Sequence, residues 1–209
     1  LTIYPMITLY TWWRGAADHP AAPLVLTIFF AYFSTWILFK SHTRTGYPVN
    51  FLNTNPLLRF VLASIPVSIL ATEKMPESTS SNLIFACHPH GALAFNRAAV
   101  GFEVESLWLK ATGIKNLRVL TATAAFYVPL IREMWLWSYC IEASKRVAVG
   151  ALRKLNPHQK VQERVGLFVY PGGMDEQLLT EQGKEIIYLK ERKGFIKLAL
   201  EQGLDVVPV

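Results

Sequence analysis

Hydrophobic positions fall into two regimes along the 209-residue chain. Before residue 53 they form long runs; after residue 82 they form short blocks divided by turn formers and by polar positions at helical spacing. Leu1 to Trp13 is almost wholly apolar. Pro23 to Phe39 carries no charge over seventeen residues, the lower limit for crossing a hydrocarbon core about 30 Å thick. Arg14 to Pro20 between them is short and turn-rich, so residues 1–52 are expected to form a membrane-embedded hydrophobic hairpin of helices. Leu57 to Leu70 is broken by Arg59 and Pro66 and is too short to cross, which suits an interfacial or capping segment. Residues 73–82, with Pro76 and the run Ser78 to Ser81, read as a linker, so that 53–82 joins the hairpin to a third domain at 83–209.

In that last region the pattern alternates strand and helix. Leu83 to Ala86, Leu117 to Thr121, Gly166 to Tyr170 and Val206 to Val209 are strand-like. Helices are expected over Leu130 to Ser138 and after Ser144, where Val147, Ala148, Ala151, Leu152 and Leu155 repeat at helical spacing. Another runs from Gly194 to Gln202 and is closed by Gly203. This alternation predicts an α/β fold, a layered sheet with flanking helices and its active residues at strand ends.

Composition sharpens the membrane reading. Hydrophobic residues make up 52% and charged residues only 17%, and mean hydropathy is +0.26, too apolar for an ordinary soluble domain. Phe29, Phe30, Tyr32, Phe33 and Trp36 reinforce the second span, and no basic start or small-residue cleavage site marks a secretory signal. Lys40, Arg44 and Arg59 follow that span, whereas Arg14 before it is opposed by Asp18; this bias places the downstream domain in the cytosol. The net charge of +6 fits an acidic cosubstrate or a lipid surface and lacks the dense basic clusters that mark nucleic-acid binding. Cys87 and Cys140 suggest no disulfide framework.

The candidate chemistry sits where strands end. Leu83 to Ala86 runs into Cys87-His88-Pro89-His90-Gly91, so a strand delivers two imidazoles to a turn, and imidazole is the side chain best suited to take and return a proton near neutral pH. Cys87 and His88 project to opposite faces, which disfavours a thiol nucleophile, and no further ligands accompany the histidines, so no metal is expected. Gly166 to Tyr170 likewise runs into Pro171-Gly172-Gly173-Met174-Asp175-Glu176.

His88-Pro89-His90-Gly91 and Gly172-Gly173-x-x-Glu176 occur in order with Val128 to Glu133, Arg192 to Leu200 and Val206 to Val209. With these segments the chain resembles the diacylglycerol acyltransferase type 2 family, which includes monoacylglycerol and wax-ester acyltransferases, over roughly Leu57 to Val209. That family continues beyond the Val-Pro-Val strand, so the chain reads as a fragment open at both ends and poorly active by itself. The resemblance implies a glycerolipid-acyltransferase-like fold and transfer from acyl-CoA to an acylglycerol, diacylglycerol first, with monoacylglycerol or a fatty alcohol as alternative acceptors. A non-catalytic lipid-binding or scaffold homologue is the alternative from another class; a lipid hydrolase would need a Gly-x-Ser-x-Gly elbow, which is absent.

In such an enzyme His90 is the candidate base and His88 the alternative. Related acyltransferases orient the base with a His-x4-Asp aspartate, but Leu93 and Phe95 stand at those positions, and the resemblance assigns Glu176 instead. Backbone N–H groups of Gly91, Gly172 and Gly173 are candidates for the oxyanion, since no Cβ intervenes. Arg132, Arg192 and Lys193 fall in matching segments and are candidates for the CoA phosphates. No cofactor beyond acyl-CoA as cosubstrate is implied. Membrane lipid and the endoplasmic reticulum follow from the resemblance, with the catalytic domain facing the cytosol, and a homo-oligomer is compatible with it. Trp108, Trp135 and Trp137 suit either an acyl tunnel or ordinary burial.

Overall fold

A computed structural model describes residues 14–15, 19–49, 55–56, 82–89, 91, 112, 114, 116–158 and 164–209. The expected segments at 1–13, 57–70 and 73–81, together with His90 and Trp108, lie outside the described residues. The chain divides into two compact units, Leu1–Lys40 and Ser41–Val209.

In the first unit, helix α1 spans Ala22–Leu38 and has Pro23 in its opening turn, where a missing N–H costs nothing. It buries no residue: Leu24, Ile28, Phe30, Ile37 and Leu38 are all exposed. A soluble helix apolar on every side would have no stable surroundings, whereas a lipid-facing one would. Its hydroxyls are turned inward, Thr27 Oγ1 donating to Pro23 O at 2.8 Å, Ser34 Oγ to Ala31 O at 2.7 Å and Thr35 Oγ1 to Tyr32 O at 2.6 Å. That satisfies each polar group without solvent, as hydrocarbon requires. The apolar stretch Ala22–Thr43 has the length and composition to cross a membrane.

The second unit is built on five parallel strands: β1 (Leu83–Ala86), β2 (Asn116–Thr121), β3 (Cys140–Glu142), β4 (Val165–Val169) and β5 (Asp205–Pro208). Their order is β3-β2-β4-β1-β5, with β2, β4 and β1 inside. Central parallel strands are covered on both faces and so read as unbroken apolar runs, as Leu83-Ile84-Phe85-Ala86 does. Leu83 and Phe85 join Leu117, Val119 and Phe168 in one core, closed by Phe126 and Leu136. These last two come from the 3-10 turn Thr123–Tyr127 and helix α2 (Ile131–Trp137). Ile84, Val165 and Leu167 point the other way, towards helix α3 (Lys145–Leu155) and helix α5 (Gly194–Gln202), which supply Ala148, Leu152, Leu198 and Ala199. A Lys145–Glu201 ion pair joins those two helices.

Local signals explain most boundaries. Ser144 Oγ accepts the Val147 N–H at 3.4 Å and starts α3. Gly203, left-handed at φ 62°, ends α5, with Leu204 N–H closing on Ala199 O at 2.9 Å. The strands expected at 117–121, 166–170 and 206–209 begin one residue earlier, and the helix expected at 130–138 is Ile131–Trp137. β3 was not anticipated, and Gly172 onward, read as a turn, enters a short helix α4 (Gly173–Leu178).

Two buried polar devices fix the frame. Asn82 Oδ1 accepts from Val165 N at 2.9 Å and from Asn156 Nδ2 at 3.3 Å, joining the starts of β1 and β4 to the end of α3. Arg118 donates to Thr45 O and to Leu117 O, both at 2.5 Å, and lies over the Tyr139 ring. Burial lowers its pKa to about 10, so it remains a cation at neutral pH.

Candidate active site

Parallel pairing in register brings two strand ends together. Ala86 of β1 lies opposite Val169 of β4, so the residues that follow each strand emerge side by side at the carboxyl edge of the sheet. The ladder continues past both ends. Cys87 N–H donates to Val169 O at 2.9 Å, Val209 N–H to Ala86 O at 2.8 Å, and His88 N–H to Val209 O at 2.9 Å. The backbone of His88 is thereby held between β4 and β5, its side chain 12% exposed.

Beyond β4 the chain turns through Pro171 and Gly172 into α4, which carries Glu176 inward until its side chain is 1% exposed. Gly172 makes this possible: a Cβ there would stand 2.6 Å from both Cβ and Cδ of Glu176 and closer still to Oε2. Gly173, at φ +55°, takes the left-handed bend that a side chain would resist. The Glu176 carboxyl faces His88, Oε2 lying 3.6 Å from Nδ1, and the same Oε2 accepts Tyr188 N–H at 3.0 Å. Neither ring nitrogen of His88 has a hydrogen-bond partner among the described residues, although both are shielded from solvent.

The other expected site residues divide. Gly91 adopts φ +60° just beyond β1, at the same edge. Gly173 N–H donates to Tyr170 O at 3.1 Å; as placed, this donor is engaged in the turn and is not open to an oxyanion. Arg132 is 4% exposed on α2 and donates to Glu133 Oε1 at 2.6 Å, so its guanidinium faces the fold rather than an incoming phosphate. Arg192 and Lys193 are exposed. Arg192 pairs with Asp175 and lies 5.5 Å over the Tyr188 ring, which ties the segment before α5 to α4 beside Glu176. The Tyr188 hydroxyl donates to Glu191 at 2.9 Å, and that carboxylate holds the phenol pKa above its usual range.

Sequence reasoning did not find Tyr188, because it acts through its backbone N–H and any residue would supply one. The Asp175–Arg192 pair was missed for a related reason: the two are seventeen positions apart, beyond any helical or strand spacing rule.

This geometry defines a class, a parallel α/β domain in which two adjacent interior strands bring a histidine and a buried carboxyl to one edge. The chain belongs to the diacylglycerol acyltransferase family, whose model, described as "Diacylglycerol acyltransferase", matches residues 21–209. Among its relatives is the "Diacylglycerol O-acyltransferase 2-like protein 6" of Mus musculus, 29% identical over 186 residues, covering 84% of this chain and 50% of that protein. The "Diacylglycerol O-acyltransferase 2" of Bos taurus is 30% identical over 178 residues, covering 83% and 46%. The "Diacylglycerol O-acyltransferase 2" of Homo sapiens is 29% identical over 179 residues, covering 84% and 44%. The type 2 family is thus the one to which the chain belongs, and it spans about half the length of the curated relatives it matches. No solved structure matches it.

Proposed function

We propose that this chain carries the catalytic centre of an acyl-CoA-dependent O-acyltransferase that converts diacylglycerol and acyl-CoA into triacylglycerol and CoA. The observation that carries the reading is the His88–Glu176 pair at adjacent strand ends in a member of this family. A thioester is already reactive, so the enzyme has mainly to bring a hydroxyl to the carbonyl carbon and accept its proton as the C–O bond forms.

Glu176 faces Nδ1 of His88, which leaves Nε2 as the proton acceptor. The carboxylate, 3.6 Å from Nδ1, stabilises the imidazolium as attack proceeds, while Tyr188 N–H fixes the carboxylate. Backbone N–H groups of Gly91 and Gly172 are the remaining glycine donors for the oxyanion. When the tetrahedral intermediate collapses the C–S bond breaks, and the departing CoA thiolate takes the proton back from the ring. His90, first choice for the base on sequence grounds, lies outside the described residues, and substitution of each histidine separates the two. Arg192 and Lys193 are retained as contacts for the CoA phosphates. Residues 1–52 serve as the membrane anchor and 53–82 as the linker, with the domain at 83–209 on the cytosolic side of the endoplasmic reticulum.

The test is incorporation of labelled oleoyl-CoA into neutral lipid by microsomes of an acyltransferase-deficient host expressing the full-length protein. Diacylglycerol, monoacylglycerol and fatty alcohol are offered in turn, with His88→Ala, His90→Ala and Glu176→Ala alongside. Triacylglycerol formation that falls about 10²–10⁴-fold in Glu176→Ala and in one histidine variant, at equal protein levels, supports the reading. Transfer to none of the acceptors, or full activity in Glu176→Ala, overturns it.

A further inference from the structure

The surface that follows β2 differs from its surroundings. Between Ala122 and Ser138 the only charged side chains are Arg132 and Glu133, and they neutralise each other across 2.6 Å. Apart from Thr123 at its start, the large side chains this stretch exposes are apolar or aromatic: Tyr127, Val128, Leu130, Ile131, Met134 and Trp137. One exposed leucine needs no explanation, but a contiguous set without exposed charge marks an interaction surface. Leu130 is the extreme case at 73% exposure. It also holds φ 64° and ψ −41°, a γ-turn in which Ile131 N–H donates to Pro129 O at 2.8 Å. Leucine avoids this backbone region. Strain that projects an apolar side chain away from the core points to a use outside the core.

We propose that this face docks into the interfacial layer of a phospholipid bilayer, as a second attachment independent of α1. Three features select lipid as the occupant. First, the chain carries the apolar stretch Ala22–Thr43, which by length and composition is fit to cross a membrane and would keep the folded unit at a bilayer. Second, Tyr127 and Trp137 belong to the face, and their rings, apolar with one polar atom, suit the headgroup boundary. Third, the face leaves the carboxyl end of β2, which pairs in parallel with β4, as β4 does with β1. Its root therefore lies at the sheet edge that carries His88 and Glu176. Met174 and Leu178, exposed on α4 beyond β4, extend the apolar character there. Docking would bring the pair to the layer in which a water-insoluble acceptor dissolves; that consequence rests on the proposed function, whereas the docking itself does not.

Site-directed spin labelling of the full-length protein in phosphatidylcholine vesicles tests this. Cys87 and Cys140 are buried, so a label on Leu130→Cys reports its own position once other reactive thiols are removed. The Leu130 label is expected to collide more with oxygen than with a water-soluble nickel chelate, while a label on exposed Glu181→Cys shows the reverse. Overturning results are a Leu130 label as chelate-accessible as Glu181, or one shielded from both reagents because protein covers it. A label on Ile28→Cys reads α1 separately, so failure of the anchor and failure of the face are distinguishable. As a second measurement, the Leu130→Asp/Met134→Asp variant should raise the acceptor KM several-fold, with kcat and the acyl-CoA KM unchanged. Equal losses in all three would mean that the face has a folding role and would refute docking.

Discussion

Replacing Gly172 by alanine displaces one side chain in particular. Gly172 sits at φ −64° and ψ −32°, the right-handed helical region that alanine favours, so no backbone penalty follows. With fewer unfolded conformations to lose, the change alone would stabilise by about 0.4–1 kcal/mol. Its Cβ, however, would come within 2.6 Å of Cβ and Cδ of Glu176, and nearer still to Oε2. Carbon atoms settle at about 3.5–4.0 Å, and Cβ of Glu176 is fixed to its backbone, so the first turn of α4 must shift by roughly 1 Å and carry the carboxyl with it. That motion breaks the contact with Tyr188 N–H and carries Oε2 away from His88 Nδ1. Misplacement of about 1 Å costs roughly 10²-fold in rate, equivalent to about 2.7 kcal/mol of transition-state stabilisation. The assay is kcat for acyl transfer by the full-length protein, paired with thermal unfolding. Because the effect runs through Glu176, adding Gly172→Ala to Glu176→Ala should cost little more, and the double-mutant cycle should be strongly non-additive. Full kcat in Gly172→Ala, or a double variant whose losses simply multiply, would refute the reasoning.

Other consequences follow from the frame. A Cβ on Gly166 would meet Phe85 Cε2 at 2.8 Å and Ile114 Cγ2 and Leu117 Cδ1 at 3.1 Å; Gly166→Ala should destabilise by about 1–3 kcal/mol, read as a lower unfolding midpoint. Asn82→Ala removes the acceptor of Val165 N–H and Asn156 Nδ2, and should cost about 1–3 kcal/mol in the same assay, whereas Asn82→Asp, which keeps an acceptor, should cost less. Gly150 lies inside α3 with open space at its Cβ, so Gly150→Ala should raise stability by about 0.5–1 kcal/mol and leave kcat unchanged. Arg192→Ala breaks a half-exposed ion pair worth about 0–1 kcal/mol, so stability should hardly move. If Arg192 also contacts CoA, the acyl-CoA KM rises at constant kcat; an unchanged KM would confine it to tying the loop.

How legible each element was depended on whether its cause is local. The helix Gly194–Gln202 was readable to the residue because Gly203 closes it, and α3 because Ser144 caps it. β3 is three residues at a sheet edge inside Tyr139-Cys140-Ile141-Glu142, too short to show a period; its strand character comes from pairing with β2. Alternating strands and helices pointed to an α/β sheet, but not to its order, since crossovers leave no mark in a hydrophobic pattern. Arg132 looked like a surface cation in a matching segment, yet it is buried beside its own neighbour Glu133. At the site the split is similar. His88 and Glu176 were legible as strand-end residues with chemistry, whereas their 3.6 Å approach depends on β1 lying beside β4, a contact between positions more than eighty residues apart.

That approach is governed by the register of one strand pair. Leu83 sits opposite Gly166 and Ala86 opposite Val169, so His88 emerges level with the turn that leads to Glu176. A slip of one residue would turn every side chain of β1 to the wrong face, and a slip of two would keep the faces but move His88 by about 7 Å along the strand. Two features at the amino end oppose the second slip. The Phe85 ring lies against Gly166, where any side chain would collide, and Asn82 Oδ1 holds Val165 N–H at 2.9 Å. Shifting by two would set Phe85 against a residue with a side chain and break that hydrogen bond. The bare position at Gly166 and the amide at Asn82, both remote from any reacting atom, are therefore what set the spacing between His88 and Glu176 at the other end of the strands.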